Sequence, residues 1–156
     1  MMDETSETGT DPLVARARAA ARGAYAPYSG FSVGCAVEAA DGTVAVGANM
    51  ENACYRLGVC AEQSALSAAA QAFGLGRVAR VAVAGGRLGP DGELAGEMVV
   101  TPCGGCRQAL LEAAHVAGAD IEIVSASGDG RAVERRRISE LLPAGFGPAN
   151  LKDADG

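Results

Sequence analysis

Two segments of this chain carry cysteine where a helix is expected to begin. Cys60 opens an Ala-rich stretch that runs to Phe73 and is closed by Gly74, a run of strong helix formers ended by a helix-stop residue. Pro102-Cys103-Gly104-Gly105-Cys106 opens a second predicted helix, through Arg107, Leu110 and Leu111 to about Val116, with Gly118 as its stop. Residues three apart near a helix start share one side, with Cβ atoms about 5–6 Å apart. Cys103 and Cys106 can therefore reach one ion. The free N–H groups and dipole of a helix N-terminus also favour a thiolate at Cys60. Three thiolates can then meet at one metal only in a fold that brings two distant helix starts together. A fourth tetrahedral position would stay open, as in catalytic rather than structural zinc sites.

Composition sharpens this reading. The chain has 156 residues, 5 cysteines and 1 histidine, so any transition-metal site must draw mainly on cysteine. An odd cysteine count fits a closed disulfide framework poorly. No basic patch followed by an apolar run marks a signal peptide, and no stretch approaches the ~18 apolar residues of a membrane helix. A cytoplasmic location, where thiols stay reduced, is expected. The net charge of −6 argues against a nucleic-acid partner, because phosphate neutralisation needs basic surface.

The rest of the chain reads as one domain over residues 11–151, with a disordered leader at 1–10 and a flexible tail at 152–156. Asp11-Pro12 is a helix-start signal for Leu13 to Ala24. Phe31 to Ala39 alternates Val33, Cys35 and Val37 on one face, and Asp41-Gly42 should turn it back into Thr43 to Ala48. Asn49 to Val59 has no period and reads as a functional loop. Further strands are expected at Arg80–Ala84, Met98–Thr101 and Ile121–Ser125, with Gly85–Gly96 as a loop. A short helix is expected at Ile138–Leu142. This alternation predicts an α/β fold with a mixed sheet covered by helices. Arg135-Arg136-Arg137 reads as a solvated stretch, Cys35 and Cys54 as packing residues, and His115 as a surface residue late in its helix.

Glu62 follows Cys60 by two residues. A carboxylate beside a zinc site but not bound to the ion is placed to shuttle a proton. Cys60-Ala61-Glu62 followed by Pro102-Cys103-Gly104-Gly105-Cys106 matches the three-cysteine form of the zinc deaminase signature. With Ala26-Pro27-Tyr28-Ser29-Gly30-Phe31, Asn49-Met50-Glu51-Asn52-Ala53-Cys54-Tyr55 and Leu141-Leu142-Pro143-Ala144-Gly145-Phe146 in the same order, the chain resembles the small homotetrameric cytidine deaminases over roughly residues 13–151.

The resemblance implies a three-layer α/β/α sandwich with a mixed five-stranded sheet. It implies hydrolysis of cytidine and 2'-deoxycytidine to uridine and 2'-deoxyuridine with release of ammonia, a pyrimidine-salvage reaction. One Zn²⁺ per subunit would sit on Cys60, Cys103 and Cys106, with Glu62 as proton shuttle. Asn49 and Glu51 would hold the ribose hydroxyls, Phe31 would face the nucleoside, and the Ala61 backbone would contact the base. Phe146 would stack on the pyrimidine in a neighbouring subunit's site. Tyr28 and Tyr55 would support the site at the interface of a homotetramer with shared active sites.

Many members of the resembled family carry arginine directly after C-A-E, where this chain has Gln63. Three thiolates and one Zn²⁺ leave a charge of −1, and Arg107, next to Cys106, is a candidate to offset it. Three alternatives stay open on the residues alone. They are deamination of another aminopyrimidine nucleoside, such as an aminoacyl-nucleoside antibiotic, a structural zinc module, and a redox pair at Cys103 and Cys106.

Overall fold

The computed structural model describes residues 11–152. The expected leader and residues 153–156 of the expected tail lie outside the described residues. Helix α1 (Pro12–Ala21) starts on Asp11, whose carboxylate accepts from the Leu13 N–H at 2.9 Å. Its Leu13, Val14, Ala17 and Ala21 are buried, the spacing of one helical face. Strands β1 (Ser32–Ala39) and β2 (Val44–Ala48) form an antiparallel hairpin across Asp41-Gly42. Then come α2 (Ala61–Ala72), β3 (Val78–Leu88), a two-residue β4 (Leu94–Ala95), α3 (Gly104–Ala117), β5 (Glu122–Ser127), β6 (Val133–Arg137), α4 (Ile138–Leu141) and α5 (Pro148–Lys152). Lys152, expected in the tail, ends α5.

The sheet order is β2-β1-β3-β5-β6, with β4 paired to the far end of β3. Strands β3 and β5 are parallel and the other neighbours antiparallel. Side-chain alternation sorts the sheet into two faces. Ala36, Ala82, Ala84, Val124 and Ala126 pack with α1, whereas Cys35, Val37, Val81 and Ile123 pack with α2 and α3. The result is the expected α/β/α sandwich, with six strands rather than five because the two-residue β4 adds to the end of β3.

Three expectations differ from the structure. Gly85–Gly96, expected as a loop, carries the end of β3 and all of β4, because the β3 ladder with β1 and β5 continues past Ala84. Met98–Thr101 is not a strand. Val99 makes only a bridge to Ser127, because β3 and β6 already flank β5. Instead, the basic run belongs to β6. Edge strands are often charged on both faces, so β6 lacks the apolar alternation that marks a strand. Charge ties it to its neighbours: Arg135 reaches Glu122 of β5 at 3.1 Å and Asp11 at 2.9 Å, while Arg136 pairs with Glu134 of the same strand at 2.8 Å.

Small residues let the helices lie close on the sheet. A Cβ at Gly34 would sit 1.8 Å from the Ala17 carbonyl oxygen, and one at Gly47 would sit 2.4 Å from the Ala65 backbone nitrogen. Gly47→Ala must therefore push α2 off β2. It should cost about 1–3 kcal/mol in urea unfolding and lower the metal content of purified protein, because α2 begins at Cys60.

Asp11 also accepts from the Arg80 guanidinium at 2.9 and 3.0 Å. Arg80, Leu13 and Arg135 hold its carboxyl well below the usual carboxylate range. A depressed folded-state pKa stabilises the fold above the unfolded value near 4, and the effect fades as pH falls toward the folded value. Asp11→Asn should cost roughly 2 kcal/mol at pH 7. Its melting temperature should converge on the native one as the pH is lowered below about 4.

Candidate active site

Strand β2 is antiparallel to β1, and β1 to β3, so β2 and β3 run in the same direction. The connections that leave them, Asn49 to Cys60 and Gly89 to Cys103, emerge at the same end of the sheet. Both lead into helices on the same face. Cys60 is the N-cap of α2 and Cys103 the N-cap of α3, each with extended backbone. Cys106 lies in the first turn of α3. The three sulfurs lie within 4.8 Å of one another, and Cys60 Sγ is 4.0 Å from Cys103 Sγ.

These residues fit zinc. Two sulfurs on a tetrahedral ion with Zn–S bonds of about 2.3 Å stand roughly 3.8 Å apart, close to the separation of Cys60 and Cys103. All three are free thiols. Burial pushes the thiols of Cys106 and Cys60 up, while the Cys106 backbone N–H holds that of Cys103 down. Three thiols this close together would give up their protons to a shared cation. Gln63 donates from Nε2 to Cys106 Sγ at 3.7 Å.

Glu62, in the first turn of α2, is only 5% exposed. It borders a cavity of about 420 Å³ that Cys60, Cys103, Ala61, Asn49 and Glu51 also line, a size suited to a small ligand. Cys35 is buried in the core, as expected, and burial pushes its thiol well up.

The far wall is the irregular loop. Met50 exchanges two backbone hydrogen bonds with Val59, and the Tyr25 N–H donates to the Asn49 carbonyl. Asn49 Oδ1 accepts from the Val33 N–H at 2.8 Å, and its Nδ2 donates to the Phe31 carbonyl at 2.9 Å. Glu51 accepts from the N–H groups of Tyr28 and Ser29 and from the Ser29 hydroxyl at 2.6 Å. The Ser29 hydroxyl and its neighbouring N–H groups hold the Glu51 carboxyl below its ordinary value. The loop side chains are thus oriented by fixed backbone groups, with one Asn49 N–H left to donate. Tyr28 and Tyr55 meet edge to face, 6.0 Å apart at their centroids.

Not every expected residue comes to this cavity. Phe31 lines a neighbouring one of about 490 Å³, which shares Val100 with the first. The side chain of Phe146 is 57% exposed and is not among the lining residues. Arg107 gives its hydrogen bonds to the carbonyls of Pro102 and Leu141 and to the Thr101 hydroxyl, and among the described residues it gives none to a sulfur. Cys54 is exposed, not packed, because it caps a short turn at Tyr55–Leu57 with no apolar layer above it. His115 is exposed on α3. Met50, Val59, Val100 and Thr101 also line the site. Met50 lies inside the Asn49–Tyr55 segment read from the sequence, whereas Val59, Val100 and Thr101 belong to no chemical motif and only their closeness to Cys60 and Cys103 could have marked them.

The family model for the cytidine and deoxycytidylate deaminase zinc-binding region matches residues 9–118. The chain is similar to the cytidine deaminase of Halalkalibacterium halodurans, 38% identical over 143 residues, which cover 90% of this chain and 96% of that one. It is also similar to the Mycobacterium tuberculosis cytidine deaminase, 40% identical over 139 residues, 89% of this chain and 90% of that one. The crystal structure of cytidine deaminase from Burkholderia pseudomallei superposes with a TM-score of 0.72 at 38% identity, covering 86% of this chain and 97% of that one. The family model spans both cysteine-capped helix starts, and on that basis this chain belongs to the cytidine and deoxycytidylate deaminase family.

Proposed function

We propose that the protein hydrolyses cytidine and 2'-deoxycytidine to uridine and 2'-deoxyuridine, releasing ammonia. The observation that carries this reading is a buried carboxylate, Glu62, beside three convergent thiolates on the wall of a nucleoside-sized cavity. Cys60, Cys103 and Cys106 hold one Zn²⁺ per subunit. The ion's contribution there is to lower the pKa of a water toward about 7, so that a nucleophile is available at neutral pH. Glu62 moves the proton. Its carboxylate takes up one proton of the water and delivers it to N3 of the pyrimidine, then takes the remaining proton of the oxygen added at C4 and hands it to the departing amine. Burial keeps bulk water from competing for that proton.

The remaining residues bind and orient. Ala61, first residue of α2, offers its free backbone N–H to the base. Glu51 and the spare Asn49 N–H grip the ribose hydroxyls, and the Tyr28–Ser29 turn pre-orients Glu51 for that grip. Gln63 offsets part of the thiolate charge through its hydrogen bond to Cys106. Phe31 borders the nucleoside from the adjacent cavity. Phe146 and the two tyrosines, exposed on the single subunit, complete the site of a neighbouring copy in a homotetramer. Exposed apolar groups gathered near the site mouth, among them Tyr25, Met50, Tyr55 and Leu57, support such an assembly. The acidic charge supports a free nucleoside rather than a polynucleotide as substrate. A role in pyrimidine salvage in the cytoplasm accords with that substrate and with the free thiols.

The test is the loss of cytidine absorbance on adding zinc-loaded protein. Native protein should convert cytidine completely. Glu62→Gln should retain its zinc and lose at least roughly 10²–10⁴-fold in rate, the usual worth of general acid–base catalysis. Full activity in zinc-loaded Glu62→Gln would remove Glu62 from the reaction, and an inactive native protein with full zinc would overturn the function.

A further inference from the structure

We propose that Arg107 is a positioning residue that ties the metal-ligand loop to the C-terminal segment bearing Phe146. Its side chain rises from the first turn of α3, one residue after Cys106. Nε donates to the Pro102 carbonyl at 2.8 Å and Nη1 to the Leu141 carbonyl at 3.0 Å, while Nη2 reaches Thr101 Oγ1 at 3.4 Å. Pro102 is fully buried and directly precedes Cys103. Leu141 is the last residue of α4 and leads into the segment that carries Phe146.

That segment lies along α3. Gln108 Nε2 donates to the Phe146 carbonyl at 2.8 Å. A Cβ at Gly145 would stand 2.5 Å from Leu111 Cδ2, and one at Gly147 would stand 2.8 Å from His115 Nε2. A side chain at either position would have to displace the end of the Leu111 or His115 side chain. Ala144 enters it with a φ of 54°, a left-handed conformation that an alanine keeps only where its surroundings hold it. The backbone of Phe146 is thus anchored to successive turns of α3, while its ring points outward.

Among the described residues Arg107 has no carboxylate partner. Its donors go to neutral oxygens on two separate pieces of chain. The planar guanidinium reaches the two carbonyls from two nitrogens at fixed angles, whereas lysine offers one nitrogen for both. This geometry makes Arg107 a clamp rather than a counter-charge to the thiolates. Any disturbance at Pro102–Cys103 is passed to Leu141, and the reverse, since coupling is reciprocal.

The test uses full-length, zinc-loaded protein with two readouts that need no catalysis. These are zinc release to a chromogenic chelator and hydrogen exchange in residues 142–147. Arg107→Lys keeps the charge but loses the fixed two-nitrogen bridge between the carbonyls. It should speed zinc release and segment exchange roughly tenfold each, as expected for losing a hydrogen bond to a charged group. Stripping zinc from native protein should also raise exchange in 142–147, and Arg107→Lys should abolish that dependence. Gln108→Ala should raise segment exchange and leave zinc release native. A native rate of zinc release in Arg107→Lys, or segment exchange in native protein indifferent to zinc, would overturn the tie. A further arm rests on the proposed stacking role of Phe146: KM for cytidine should rise more in Arg107→Lys than kcat falls. Failure of cytidine turnover in native protein would refute the proposed function and leave the two non-catalytic readouts standing.

Discussion

The site depends on a matter of strand direction. Because β1 lies antiparallel to both of its neighbours, β2 and β3 point the same way. The chain leaves both strands at one end of the sheet and enters a helix on the same face each time. Open α/β sheets place their ligands outside the carboxyl ends of strands for this reason. Here the consequence is chemical. Two helix N-termini, each capped by a cysteine, aim their N–H groups at one place. Negative charge is stabilised there before any ion is considered.

Close helix–sheet contact converts that topology into geometry. Small side chains face α1, and glycines at positions 34 and 47 let α1 and α2 lie on the strands where a methyl group would collide with backbone. The interior is correspondingly poor in bulk. Ion pairs joining Asp11, Arg80, Glu38, Glu122 and Arg135 tie the start of α1 to β1, β3, β5 and β6. The irregular loop is held by the same economy. Its polar side chains bond backbone N–H and carbonyl groups of adjacent segments, so it is fixed without an apolar core of its own.

Residue types made part of this legible from sequence. Cys60, Cys103, Cys106 and Glu62 carry their chemistry in their side chains, and proline, glycine and alanine around them mark the helix starts. Alternation in Val33, Cys35 and Val37 likewise exposed β1. Features held by backbone acceptors or by charge were not legible. Arg107 looked like a counter-charge because a sequence shows its guanidinium but not the carbonyls of Pro102 and Leu141. Strand β6 looked like a solvated run because its order comes from charge and not from an apolar face. Cys54 looked like a packing residue because the sequence does not show that nothing covers its turn.

The central claim is that three thiolates and no fourth protein ligand hold the ion. X-ray absorption at the zinc edge on the native, zinc-loaded protein tests it most directly. The account predicts one zinc per chain with three sulfur neighbours and one lighter atom. Four sulfur neighbours, or two or fewer, would contradict it.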